Sequence, residues 1–187
     1  MSCYTGKSSA ITVIAEQLVD TLVVKGGTSA LDVLTASYAA DGGSYTSQVT
    51  GVESLKYIAN SNNTDAAETT SFNLSKTDAT TVAVGSSTAN NTTVNLTKVA
   101  DGQKIELGAG AAAGFANSSI LNVTMTSAVG AADALTLSLV DTDDSEGTID
   151  VNAAGVEALT LTAAATAETH KLDLAGVTAT ATKTTAI

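Results

Sequence analysis

The phrase Gly51-Val52-Glu53-Ser54-Leu55 returns later in the same chain as Gly155-Val156-Glu157-Ala158-Leu159. Upstream, Ala30-Leu31-Asp32-Val33-Leu34-Thr35 parallels Ala131-Ala132-Asp133-Ala134-Leu135-Thr136; downstream, Phe72-Asn73-Leu74 parallels Leu172-Asp173-Leu174. Three landmarks in one order, offset by roughly a hundred residues, define an internal repeat. A unit of short strands cannot bury its apolar face alone, so copies must stack and share one core. On this reading residues 1–25 form an N-terminal segment and residues 26–187 a β-repeat domain, with one copy over about 26–125 and an incomplete one over 126–187.

The stretches between the landmarks carry the period of strands. Leu121-Asn122-Val123-Thr124-Met125-Thr126, Leu135-Thr136-Leu137-Ser138-Leu139 and Leu159-Thr160-Leu161-Thr162 alternate apolar and polar residues, giving one face for a core and one for solvent. Shorter versions stand at 71–74, 81–84, 94–97, 104–107 and 171–174. Asp41-Gly42-Gly43-Ser44, Asn60-Ser61-Asn62-Asn63 and Asp101-Gly102 read as turns, because such residues supply positive φ and local side-chain hydrogen bonds. Ile14 to Val24 is open: Ile14, Leu18 and Leu22 have helical spacing, while Thr21-Leu22-Val23-Val24 before Gly26-Gly27 reads as a strand and tips the balance that way.

The chain has 44% hydrophobic residues but only 3% aromatic ones, so its interior must be tiled with small and branched side chains, which suits narrow repetitive packing. The expected fold is therefore all-β, an elongated β-solenoid resembling a parallel β-helix and built from two imperfect repeats. A compact antiparallel β-sandwich is the other architecture these short strands allow. Leu135, Leu137, Leu159, Leu161, Leu172 and Leu174 are the expected shared core.

Net charge is −11, and all eight basic residues are lysines. A nucleic-acid binder needs a basic footprint to displace counterions, so this chain is not expected to be one. No run approaches the 18 or so apolar residues of a membrane span, and Met1-Ser2-Cys3-Tyr4 does not open a signal-peptide-like apolar stretch.

In its Thr/Ala/Ser/Asn/Gly bias, its Gly-Val-Glu-x-Leu landmark, its Asp-x-Leu-Thr strands and phrases such as Val99-Ala100-Asp101-Gly102-Gln103, the chain resembles the β-strand-repeat regions of bacterial surface-layer proteins and toxin-repeat exoproteins. The likeness runs from about Gly26 to Thr185. It implies a right-handed β-solenoid or layered β fold, secretion without a cleaved N-terminal signal and calcium-dependent lattice formation. Similar Thr-rich repeats occur in marine phage virion proteins. Gly26-Gly27-Thr28-Ser29-Ala30-Leu31-Asp32-Val33-Leu34 departs from the calcium-binding nonapeptide of toxin repeats in its internal spacing, so tandem sites of that kind are not expected.

The densest acidic run, Asp141-Thr142-Asp143-Asp144-Ser145-Glu146-Gly147-Thr148-Ile149-Asp150, offers two readings. It is a solvated turn, or Asp141, Asp143, Asp144, Glu146 and Asp150 supply oxygen ligands to calcium, the one cofactor expected. It is no EF-hand, since Glu146 stands where that loop needs glycine. His170 is the one histidine and lies in no nucleophile-bearing motif, so no catalytic residues are expected. Cys3 has no cysteine or histidine at metal spacing, and Gly108-Ala109-Gly110-Ala111 lacks the lysine of a phosphate loop. Seven Asn-x-Ser/Thr sequons, at Asn62, Asn73, Asn90, Asn91, Asn95, Asn117 and Asn122, arise readily in such a composition.

The expectation is a non-enzymatic structural protein of the extracellular space or cell surface, or of a virion. It would self-associate into a lattice, filament or coat without nucleic acid or a membrane span. A phage fibre or decoration protein, or an adhesive module holding a surface glycan, is the other reading.

Overall fold

The computed structural model describes residues 10–14, 23–39, 43–46, 48–60, 68–86, 92–108, 120–126, 133–140, 148–163 and 171–175. Among these there is no helix. One sheet of seven strands takes, in hydrogen-bonded order, β1 (Ala10–Ile14), β3 (Val33–Ala39), β6 (Ser54–Asn60), β8 (Thr81–Ser86), β10 (Lys104–Leu107), β12 (Ala134–Leu139) and β14 (Ala158–Ala163). A second, of six, runs β15 (Lys171–Ala175), β13 (Thr148–Ala154), β11 (Ile120–Met125), β9 (Thr92–Val99), β7 (Glu68–Asn73) and β4 (Gly43–Thr46). β2 (Val23–Lys25) and β5 (Gln48–Thr50) make a short third sheet, continued by a parallel bridge from Val49 to Thr77.

Every strand pairing in these sheets is parallel. The chain passes from one sheet to the other and back, each pass laying a coil on the last, which is a β-solenoid. The antiparallel sandwich is thereby excluded: hairpins would pair sequence neighbours such as β6 and β7, whereas β6 pairs β3 and β8. A chain without proline suits this plan, since an interior strand uses its N–H groups in ladders on both sides.

The period-two pattern becomes columns of stacked side chains. Ile11, Leu34, Leu55, Val82, Ile105, Leu137 and Leu161 stand in register on successive strands of the first sheet. The five inner members are at most 1% exposed, while Ile11 and Leu161 at the two ends are partly buried. Opposite them, Val94, Leu121 and Val151 form one column of the second sheet, and Phe72, Leu96, Val123 and Ala153 the next. Each such aliphatic residue contributes about 1.5–3 kcal/mol on burial, and all belong to one continuous core. Leu135 and Leu159 are buried and Leu161 packs against the core, as expected; Leu172 and Leu174 lie on β15, their side chains outside the described residues.

The cross-section changes along the stack. Where the third sheet adds a side, the interior holds aromatics: the rings of Tyr57 on β6 and Phe72 on β7 stack at 3.9 Å, and Tyr45 on β4 lies 5.7 Å beyond Phe72. From β9 onward the described coils have two sides and an aliphatic lining with Met125. The changeover falls at a bulge. Thr97 pairs Thr124 but Val99 pairs Met125, leaving Lys98 as the extra residue, with φ of 59°.

The repeat reads differently in three dimensions. The strand after Gly51-Val52-Glu53 is β6 and the strand after Gly155-Val156-Glu157 is β14, four steps along the same sheet through β8, β10 and β12. A sequence period of roughly a hundred residues thus spans four coils, and the physical unit is the coil, whose cross-coil hydrogen bonds join residues 21 to 33 positions apart. Both landmark glycines have positive φ, 64° at Gly51 and 82° at Gly155, which explains why that position of the phrase repeats. Two expectations need adjusting. Gly43 and Ser44, read as part of a turn, open β4 instead, because Gly43 pairs with Thr70 and Ser44 with Ser71. In the segment left open, Val23 and Val24 are strand and Ile14 ends β1, while residues 15–22 lie outside the described residues.

Candidate functional site

The turns that feed the first sheet carry an acidic residue in six coils: Asp32, Glu53, Asp78, Asp101, Asp133 and Glu157 precede β3, β6, β8, β10, β12 and β14. Five of these carboxylates accept a backbone N–H, and the sixth, that of Asp133, has a buried Oδ2 without a hydrogen-bond partner. Glu53 Oε2 accepts the N–H of Asp32 at 2.8 Å, and Asp78 accepts the N–H of Gly51 with both oxygens at 2.9 and 3.1 Å. Asp101 Oδ1 accepts the N–H of Ala134 at 2.8 Å, and Glu157 Oε2 that of Asp133 at 2.9 Å. Each of these bonds reaches a neighbouring coil. Asp32, 1% exposed, accepts the N–H of Gly27 at 2.6 Å within its own turn. At that turn Gly26 packs so closely on the carbonyl of Gly51 that no Cβ fits.

The outward face of the second sheet is a polar comb. Ser71, Asn95, Asn122 and Asn152 stand in register on β7, β9, β11 and β13. Asn95 Nδ2 donates to Ser71 Oγ at 3.0 Å, Asn122 Nδ2 to Asn95 Oδ1 at 2.7 Å, and Asn152 Nδ2 to Asn122 Oδ1 at 2.7 Å. Beside this ladder run Thr46, Asn73, Thr97, Thr124 and Ala154. All these residues are half-buried or exposed.

At the changeover in cross-section, a cavity of about 230 Å³ opens between the turns Thr77–Thr80 and Ala100–Gln103. Gln103, 4% exposed, closes its inner side by donating from Nε2 to the Ala79 carbonyl at 2.6 Å and accepting the Ala100 N–H on Oε1 at 3.2 Å. The amide supplies hydrogen bonds where the third sheet ends. Tyr57 is buried in the core, and that burial pushes its phenol well above the ordinary value of 10.0.

Of the expected calcium ligands, Asp141, Asp143, Asp144 and Glu146 lie outside the described residues. Asp150 stands exposed on β13, in register with Asp173 on β15. Among the described residues no group of three or more acidic, histidine or cysteine side chains is arranged to hold a metal. His170 and Cys3 are also outside them, as are the sequon residues Asn62, Asn90, Asn91 and Asn117. Asn95 and Asn122 spend their sequon amides in the ladder, so attaching a glycan at either requires opening it; Asn73 Oδ1 accepts the N–H of Ser75. No helix of the described residues is long and apolar enough to cross a membrane.

Sequence reasoning missed both the ladder and the coil-to-coil carboxylates. The ladder had a signal, because Asn95, Asn122 and Asn152 are each the polar centre of an apolar triplet, Val-Asn-Leu, Leu-Asn-Val and Val-Asn-Ala. The carboxylates Glu53 and Glu157 sat inside the repeated landmark without a role. Set against protein families, curated proteins and solved structures, the chain matches none.

Proposed function

We propose that this chain is a non-enzymatic structural protein whose copies assemble into a surface layer, an extracellular filament or the coat of a particle. One observation carries the reading: carboxylates that in an enzyme would converge on a cleft are spread along one edge and bound to backbone N–H groups of adjoining coils. Side chains used that way build an axially repeating body rather than hold an acid or base over a substrate. The likeness to surface-layer repeat regions points the same way, and with it an extracellular, cell-surface or virion location. Electron microscopy of the purified chain tests the proposal; sheets, tubes or particles are expected, and a persistent monomer refutes it.

Calcium is the proposed trigger. A net charge of −11 makes copies repel at short range, and divalent ions held by Asp141, Asp143, Asp144, Glu146 and Asp150 would bridge carboxylates of neighbouring subunits. A chelator should then abolish light scattering by assembled material while circular dichroism stays that of strands, since the core rests on apolar stacking. Unchanged scattering refutes the role of the ion.

A second reading, a glycan-holding adhesive module, draws on the hydroxyl and amide groups of the second sheet's outward face. Retention of a glycan on an array by a chain that does not assemble would favour it.

A further inference from the structure

We infer that the outward face of the second sheet is where one copy of this chain packs laterally on a second copy, face against like face. This rests on the proposed assembly and names the surface that performs it.

The first argument is charge. At −11 the protein repels itself, so close approach is least costly where no carboxylate stands. One edge carries the six acidic turns, and the outward face of the first sheet carries Lys56, Lys104 and Glu106, the last two ion-paired at 2.7 Å. By contrast the two columns from Ser44 and Thr46 on β4 to Asn152 and Ala154 on β13 contain only serine, threonine, asparagine and alanine. Among the described residues, Asp150 and Asp173 stand in the next column, at one end of the stack.

The second argument is shape. In-register parallel strands bearing short side chains and an asparagine ladder are the surfaces that interdigitate with copies of themselves in paired sheets. Each ladder amide here uses one N–H along the stack, and an amide carries two, so donor capacity remains for a partner across the interface.

The third is area. Five strands about 4.8 Å apart and two columns wide give roughly 300 Å² per copy, well short of the 800 Å² or so of a stable complex. The contact is therefore weak in solution and persists where many copies are held together, as an array requires and a free dimer does not.

Charge exchange tests this. The pair Ser44→Glu with Thr124→Glu places carboxylates on exposed positions of the face, three strands apart. The pair Ser44→Lys with Thr124→Lys places ammonium groups there. Each variant alone should lose assembly in light scattering, and an equal mixture should regain it, a rescue that a misfolded variant cannot give. Thr12→Glu with Thr160→Glu, exposed on the first sheet, should assemble as the parent does. Assembly that survives both face variants, that fails to return on mixing, or that is lost equally in the first-sheet variant overturns the assignment of the face. A parent chain that stays monomeric sinks the assembly reading itself, which separates the two failures.

Discussion

The carboxylate of Glu53 accepts the N–H of Asp32 from the adjoining coil at 2.8 Å, while the Asp32 carbonyl accepts the N–H groups of Glu53 and Ser54 at 3.1 and 3.2 Å. Glu157 and Asp133 repeat every part of this arrangement at 2.9, 3.0 and 3.1 Å. The repeated phrase in the sequence is thus a coil-to-coil latch: glycine turns the chain, valine enters the core, and glutamate binds the coil before it.

Removing the latch should be costly. Asp32 is 1% exposed, so Glu53→Ala leaves its N–H without an acceptor, at about 1–3 kcal/mol. Glu53→Gln keeps an accepting oxygen and should lose less than half of that. Urea denaturation of the three proteins checks the order. A Glu53→Ala protein as stable as the parent would mean the latch contributes nothing.

Gln103 should be equally hard to replace. Gln103→Leu fits the aliphatic core but strands the Ala79 carbonyl and the Ala100 N–H, for an expected loss of about 2 kcal/mol or more. Hydrogen exchange at Ala100 should quicken beyond what global destabilisation explains. Exchange that rises equally at every core amide would instead locate the effect in the whole stack.

Much of this fold was legible because a parallel solenoid keeps its hydrophobic pattern local. Leu135, Leu137 and Leu159 alternate with polar residues, and alternation alone commits them to a core. What alternation cannot give is which strand lies beside which. The landmarks Phe72-Asn73-Leu74 and Leu172-Asp173-Leu174 do fall on strands four coils apart, β7 and β15. Yet Leu174 stands in the column of Thr70, through Val94, Leu121 and Val151, and not in that of Phe72. Bulges such as Lys98 shift register without a mark in the pattern. Gln103 was invisible for a related reason: its burial depends on the third sheet ending where it does, which no local stretch encodes. The acidic run from Asp141 to Glu146 was legible only as composition.

Tyr57 makes the stack sensitive to alkali. Its phenol is held above the ordinary value of 10.0 by burial, so in the folded chain it stays neutral when an unfolded chain would ionise. Its contribution is complete below about pH 10 and is lost as pH rises beyond that, because only the unfolded state gains from ionisation. Lysines and other tyrosines titrate in the same range, so the comparison is with Tyr57→Phe, which should lose stability less steeply above about pH 10. Phenolate absorbance should show one tyrosine ionising only with unfolding in the parent, and that late phase should be missing in Tyr57→Phe. Parallel stability curves for the two proteins would refute the assignment.

Thr70 offers the opposite experiment, a substitution that should help. It points inward on β7, in register between Gly43 and Val94, is fully buried, and its hydroxyl has no hydrogen-bond partner. Burying an unpaired hydroxyl costs about 1–3 kcal/mol relative to an apolar group of the same shape. Val94 shows that the adjoining coil accepts valine in this column, and valine's branched Cβ suits a strand as well as threonine's does. Thr70→Val should therefore raise stability by about 1 kcal/mol, or about 2–4 °C in melting temperature for a chain of this size. Thr70→Ser keeps the unpaired hydroxyl and removes the methyl group that packs, so it should fall below the parent by about 1 kcal/mol. Thermal melts of the three proteins decide the matter. A Thr70→Val protein less stable than the parent would mean that the hydroxyl is bound by buried water, and the column would then be wet at this coil.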